Sequence, residues 1–103
     1  MIIEHVHLNI KPNQSQDFEQ AFQQAKDVIA PMHGLNSVQL IKHVDDEQRY
    51  VMIIVWDTLE DHVEGFRKSE AYQEWRALLH HFYDPRPKLE YYQPCISLKV
   101  KEA

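Results

Sequence analysis

No run of apolar residues in this chain exceeds seven; the longest, YVMIIVW, covers residues 50–56. A membrane-spanning helix needs about 20, so no span is expected. The chain has one cysteine, Cys95, and so cannot form an intramolecular disulfide. Cys95 also lacks the basic neighbours or helix N-terminus that would activate a thiol, and it reads as inert. Positive charge is scarce: 11 Lys and Arg stand against 16 Asp and Glu, a formal net charge of −5. No basic stripe offers a footprint for a nucleic-acid backbone, so no nucleic-acid partner is expected. The opening MIIEHVHLNI has no positively charged start and no small-residue cleavage site, so it does not read as a signal peptide. A reducing cytoplasm fits all of this. There is no internal repeat, low-complexity tract or linker.

The chain does contain enough for one core. It has 103 residues, of which 44% are hydrophobic and 11% aromatic, which suits a single globular domain and argues against disorder. Residues 1–100 read as the core and 101–103 as a tail.

The first segment, residues 2–10, alternates. Ile2, Val6, Leu8 and Ile10 point to one side, and Ile3, His5, His7 and Asn9 to the other, as in a strand with one apolar face. After KPNQ, the pair Asn13 and Gln16 fits a capping box. Phe18, Ala21, Phe22, Ala25, Val28, Ile29 and Met32 then recur at helical spacing until Pro31 and Gly34 end the helix. Residues 35–44 read as a second strand and DDEQ as a turn. Residues 50–56 form a third strand that does not alternate, so both of its faces should be covered. Helices can cover one face; in so short a chain a second subunit should cover the other. Thr58 and Asp61 cap a short turn over 59–64, which Gly65 interrupts or ends. Ser69 caps a second helix to about Phe82, with Ala71, Tyr72, Trp75, Leu78, Leu79 and Phe82 as its apolar stripe. DPRP is a loop, and residues 89–100 are a last extended segment bent near Pro94. The order is β-α-β-β-α-β, an α+β, ferredoxin-like pattern.

Within this pattern, VWDTLEDHVEGFRKSEAYQEWRALLHHFYDP (55–85) resembles the antibiotic biosynthesis monooxygenase (ABM) family of dimeric α+β barrels. The resemblance lies in a tryptophan closing the third strand, a serine or threonine soon after, a histidine or aromatic on the following turn, and a second long helix. By element order it covers nearly the whole chain, 1–103, as a single ABM-like domain. The HHFYDP stretch before the last strand marks a subgroup. The resemblance implies a homodimer whose sheets pack face to face, and a pocket in each subunit between sheet and helices. In the family's best understood members, polycyclic phenols are oxidised to quinones without metal, flavin or haem, so no cofactor is expected. The family pocket is lined by an asparagine and a tryptophan on the third strand, an aromatic on the following turn and an arginine on the second helix. These positions fall on Met52, Trp56, His62 and Arg76. Methionine in place of asparagine removes a polar group from the site.

The chemistry is self-consistent. A phenol or enol must lose a proton to reduce dioxygen unaided. An imidazole can accept that proton, a guanidinium can hold the anion, and an indole offers a flat wall. His62 and Arg76 are therefore the expected catalytic residues. Trp56, Met52, Asn9, His7, Phe66, Tyr72 and Tyr83 are expected to bind a small-molecule substrate. Arg67 competes with Arg76, and Tyr91 and Tyr92 are read as packing. His5 with His7, or His80 with His81, could be taken for metal ligands. The first pair has no third ligand, and the second diverges by about 100° on a helix, so no metal is expected. The leading function is a cofactor-independent monooxygenase acting on a small electron-rich aromatic or enolic molecule. The alternatives are a non-catalytic dimeric binding module, a proton-transfer isomerase of the same fold, and a haem-degrading enzyme.

Overall fold

The computed structural model describes residues 1–101. Its strands are β1 (Ile2–Asn9), β2 (Leu35–Lys42), β3 (Arg49–Trp56) and β4 (Lys88–Tyr92), and its long helices are α1 (Ser15–Ile29) and α2 (Glu70–Leu79). A π-helical turn, Asp61–Phe66, precedes α2, and a 3₁₀ turn, His80–Phe82, follows it. The strands form one antiparallel sheet in the order β2-β3-β1-β4. This is the ferredoxin-like arrangement expected from the element order.

Strand alternation decides what faces the helices. β1 turns Glu4, Val6 and Leu8 inward, and β3 turns Tyr50, Met52, Ile54 and Trp56 inward; all seven are buried. Phe18, Phe22, Ala25 and Ile29 of α1 and Trp75 and Leu79 of α2 close over them. The outer residues of β3, Val51, Ile53 and Val55, are only half-buried. The apolar run at 50–56 therefore does alternate in burial within one subunit, and its second apolar face is left largely open.

Two caps form where expected. Ser69 Oγ accepts the Tyr72 backbone N–H at 3.2 Å, and Thr58 Oγ1 accepts the Asp61 N–H at 3.1 Å. The capping box at Asn13 does not form. Asn13 lies in the left-handed region (φ 64°), Gln14 is the N-cap, and no side chain caps α1. The Ser15 hydroxyl instead donates to the Glu47 carbonyl, tying the helix start to the β2–β3 turn. Gly65 lies inside the π-turn rather than ending it. The last strand stops at Tyr92 instead of continuing to Val100. Tyr92 already pairs with Ile3 and β1 begins at Ile2, so the chain beyond Tyr92 has almost no strand left to pair with. Ile96, Leu98 and Val100 are strongly exposed. Of the expected tail, Lys101 has no regular structure, and residues 102–103 lie outside the described part.

Candidate active site

The strand register brings Glu4 on β1 opposite Ile54 on β3, two pairs away from Trp56 and on the same face of the sheet. The indole Nε1–H of Trp56 donates to Glu4 Oε1 at 3.0 Å. His62, on the π-turn, stacks on that indole with ring centroids 5.5 Å apart and 28° between planes. Its Nε2 lies 3.4 Å from Glu4 Oε1, and its Nδ1 is 2.7 Å from the Tyr91 hydroxyl. Both ring nitrogens therefore face protein groups, while Glu4 Oε2 takes no hydrogen bond from the described residues. Glu4 and His62 are 4% and 3% exposed, the only polar or charged residues among the described ones that are fully buried.

Such burial penalises charge on either partner. It pushes Glu4 up from 4.5 to about 7, against the opposing pull of the Trp56 hydrogen bond and the Arg67 charge. It pushes His62 down from 6.5 to about 4, with Arg67 adding to the effect. Between about pH 4 and 7 the pair thus holds one titratable proton, on the carboxyl, and loses it as pH rises through about 7.

The pair sits at the bottom of a cavity of about 470 Å³ between sheet and helices, within the usual size for a small-molecule site. Val6, Met52, Ile54, Phe66 and Trp75 make its apolar walls, and Arg67, Arg76, Arg86, Tyr72, His80 and Tyr83 also line it. His62 and Arg76 therefore share one hollow, together with Met52, Phe66, Tyr72 and Tyr83. Trp56 is fully buried behind the imidazole and holds the pair in place without lining the cavity. His7 and Asn9 lie on the other side of the sheet, where they line a separate hollow of about 520 Å³ with Ile41, Arg49 and Val51. Asn9 Nδ2 donates to the Asp84 carbonyl at 2.6 Å. Among the described residues no three His, Cys, Asp or Glu side chains gather as a metal-binding group, and no helix is long and apolar enough to cross a membrane.

The sequence reading passed over Glu4 and Arg86. Glu4 had a signal: it is a carboxylate on the apolar side of an alternating strand, between Ile2 and Val6. Tyr91, read as packing, is the imidazole's second partner. Arg67 is the cation whose charge bears on Glu4, His62 and Tyr91, whereas that of Arg76 bears on His80.

Comparison with known proteins agrees with this architecture. The chain is 46% identical over 93 residues to the uncharacterized protein YczJ of Bacillus subtilis (strain 168), covering 90% of this chain and 98% of YczJ. A candidate antibiotic biosynthesis monooxygenase from Bordetella bronchiseptica superimposes with a TM-score of 0.87 at 28% identity, covering 92% of this chain and 97% of that one. SnoaB, a cofactor-independent oxygenase from Streptomyces nogalater, shares the fold with a TM-score of 0.81 at 15% identity, covering 96% and 98%. The family model for antibiotic biosynthesis monooxygenases matches residues 1–78, and the chain belongs to that family.

Proposed function

We propose that this protein is a cofactor-independent monooxygenase that oxidises a small electron-rich aromatic or enolic substrate with dioxygen. The observation that carries the reading is the buried Glu4–His62 pair opening into a cavity that also holds Arg67 and Arg76. A general base works best when its pKa is close to the working pH. Glu4, near 7, meets that condition, whereas His62, near 4, does not. The proton acceptor is therefore Glu4, and His62, with both nitrogens engaged, positions it. The resulting enolate or phenolate is held by a guanidinium. It passes one electron to dioxygen, the radical pair joins to form a C–O bond, and O–O cleavage with loss of water leaves a carbonyl. For an activated CH₂ the balance is CH₂ plus O₂ giving C=O plus H₂O. Glu4 lies diagonally across from Met52, since Val6 is the residue paired with it. A protonated Glu4 at that place supplies the polar group that the methionine lacks, and can donate to the bound peroxide.

The working unit is a homodimer formed through the outer sheet face. Ile3, Val51, Ile53 and Val55 are half-buried there, and Ile41 is 42% exposed. A face of this kind in a chain of this size is best covered by a second copy. A cytoplasmic location fits the exposed free thiol of Cys95.

An oxygen electrode with a panel of hydroquinones and anthrones tests the reaction. Uptake should match substrate loss one to one. Glu4→Gln should abolish uptake, and His62→Ala should reduce it by about 10²-fold. Full activity in Glu4→Gln removes the assignment. Substrate turnover without oxygen uptake identifies the same pair as the proton shuttle of an isomerase instead.

A further inference from the structure

We propose that the substrate carries a permanent anionic group, a carboxylate or a phosphate, gripped at the cavity mouth by Arg67, Arg76 and Arg86. The inference rests on the proposed reaction only for which end of the molecule faces Glu4; the anion site stands on its own geometry.

The three guanidinium groups reach one cavity from three separate segments: the residue after the π-turn, helix α2, and the loop before β4. The chain is acidic overall, with 16 carboxylates against 11 Lys and Arg. Yet among the described residues none of these three arginines makes an ion pair: the cations of the pairs are His33, Lys42, Lys68 and Lys88 outside the cavity, and His62 with Glu4 at its bottom. The single carboxylate inside the cavity, Glu4, is buried at the bottom and bound by Trp56. All three are exposed at the rim, and an anion between like charges around one hollow is attracted by each of them. Arginine forks suit carboxylate and phosphate oxygens, which they bind in pairs of hydrogen bonds.

Other groups agree. Arg67 lies 5.8 Å from the Tyr72 ring centre, which holds it along the wall. The Tyr83 hydroxyl is buried in the same wall with no hydrogen-bond partner, a spare donor for an acceptor oxygen. His80 is pushed down by burial and then by the charges of Arg76 and Arg67, as expected in a positive field. The walls beneath are apolar and take a flat carbon skeleton. The substrate class is thus a phenolic or enolic acid, or a phenol or enol that carries a phosphate on another atom, and not a neutral polycycle.

Calorimetric titration tests this with hydroquinone, 2,5-dihydroxybenzoate and 4-hydroxyphenyl phosphate, which present the same ring with no anion, a carboxylate and a phosphate. At least one anionic ligand should bind about tenfold or more tightly than hydroquinone, with affinity falling as salt rises. Arg86→Gln should weaken the anion by about fivefold and leave hydroquinone unchanged, and Arg67→Gln and Arg76→Gln should each weaken the anion more than they weaken hydroquinone. Lys68→Gln, at an exposed lysine paired with Glu64, should change neither. Whichever anion binds tighter identifies the group. Equal binding of hydroquinone, equal losses for charged and neutral ligands in the arginine variants, or no binding of either anion overturns the inference. No turnover is needed. Anion binding without oxygen uptake would defeat the monooxygenase proposal and leave this one standing.

Discussion

Replacing Glu4 with glutamine should make the protein more stable at pH 8 and leave it nearly unchanged at pH 4.5. The reasoning starts from where the carboxyl sits. Glu4 is 4% exposed on the apolar face of β1, and burial raises it from 4.5 to about 7. A folded-state value above the unfolded one means that the group's stabilising contribution is complete below about pH 4.5. That contribution is lost as pH rises through about 7. At roughly 1.4 kcal/mol per pH unit, the full loss is about 3 kcal/mol. Water entering the cavity mouth screens part of it, leaving on the order of 2–3 kcal/mol. Glutamine keeps an acceptor oxygen for the Trp56 indole but never ionises, so the loss does not occur in the variant.

His62 works in the opposite sense. Its folded value, lowered from 6.5 to about 4, gives a contribution that is complete above about pH 6.5 and lost as pH falls through about 4. Between pH 4.5 and 6.5 the unfolded chain carries one proton on the histidine, and the folded pair carries one on the glutamate. The proton counts match, and this pair leaves wild-type stability nearly flat over that window. Urea denaturation of both proteins at one concentration, at pH 4.5, 6 and 8, measures the difference. The Glu4→Gln advantage should grow from near zero to about 2–3 kcal/mol, or on the order of 10 °C in Tm at pH 8. A constant offset at all three pH values would show that Glu4 does not titrate between the folded and unfolded states as described, and the proposed base would lose its footing.

Two further outcomes probe the scaffold. Gly34 has φ 81°, and a Cβ there would overlap the Asp61 carboxylate, so Gly34→Ala should cost roughly 2–3 kcal/mol; an unchanged thermal midpoint would show that the loop yields freely. Ile53→Arg, on the outer face of β3, should convert a particle of twice the chain mass into one of the chain mass by light scattering, and a wild-type protein already of single-chain mass would exclude the proposed homodimer.

The element order was legible because each segment has its own repeat. Val6, Leu8 and Ile10 alternate, Phe18, Phe22, Ala25 and Ile29 follow a helical stripe, and Ser69 stands ahead of Trp75 and Leu79. Neighbour relations across the sheet were not legible. Glu4 means little until the register sets it beside Trp56, and no local pattern states that register. That His62 and Arg76 line one hollow was implied by the family resemblance and by no local pattern, and the partners of the imidazole, Glu4 and Tyr91, come from β1 and β4, far away in sequence. His7 and Asn9 illustrate a signal that was already present. The alternation that sends Val6 and Leu8 inward sends those two outward, to the hollow behind the sheet. Asn13 was misread as a cap because a polar residue before a helix fits both a cap and a left-handed turn, and only the backbone angle separates the two.

The π-turn at 61–66 has a meaning for how the molecule could change. Its closing bond runs from the Arg67 N–H to the His62 carbonyl, 2.9 Å, spanning five residues where an ordinary helix spans four. One surplus residue is thus stored between Trp56, where the sheet ends, and Ser69, where α2 is capped. Shortening the segment by that residue would let it relax into a regular coil while both anchors stayed put, and the imidazole would swing off the indole. Chemistry and framework are coupled here through a single unit of chain length, so a family member could gain or shed the proton pair without rebuilding its core.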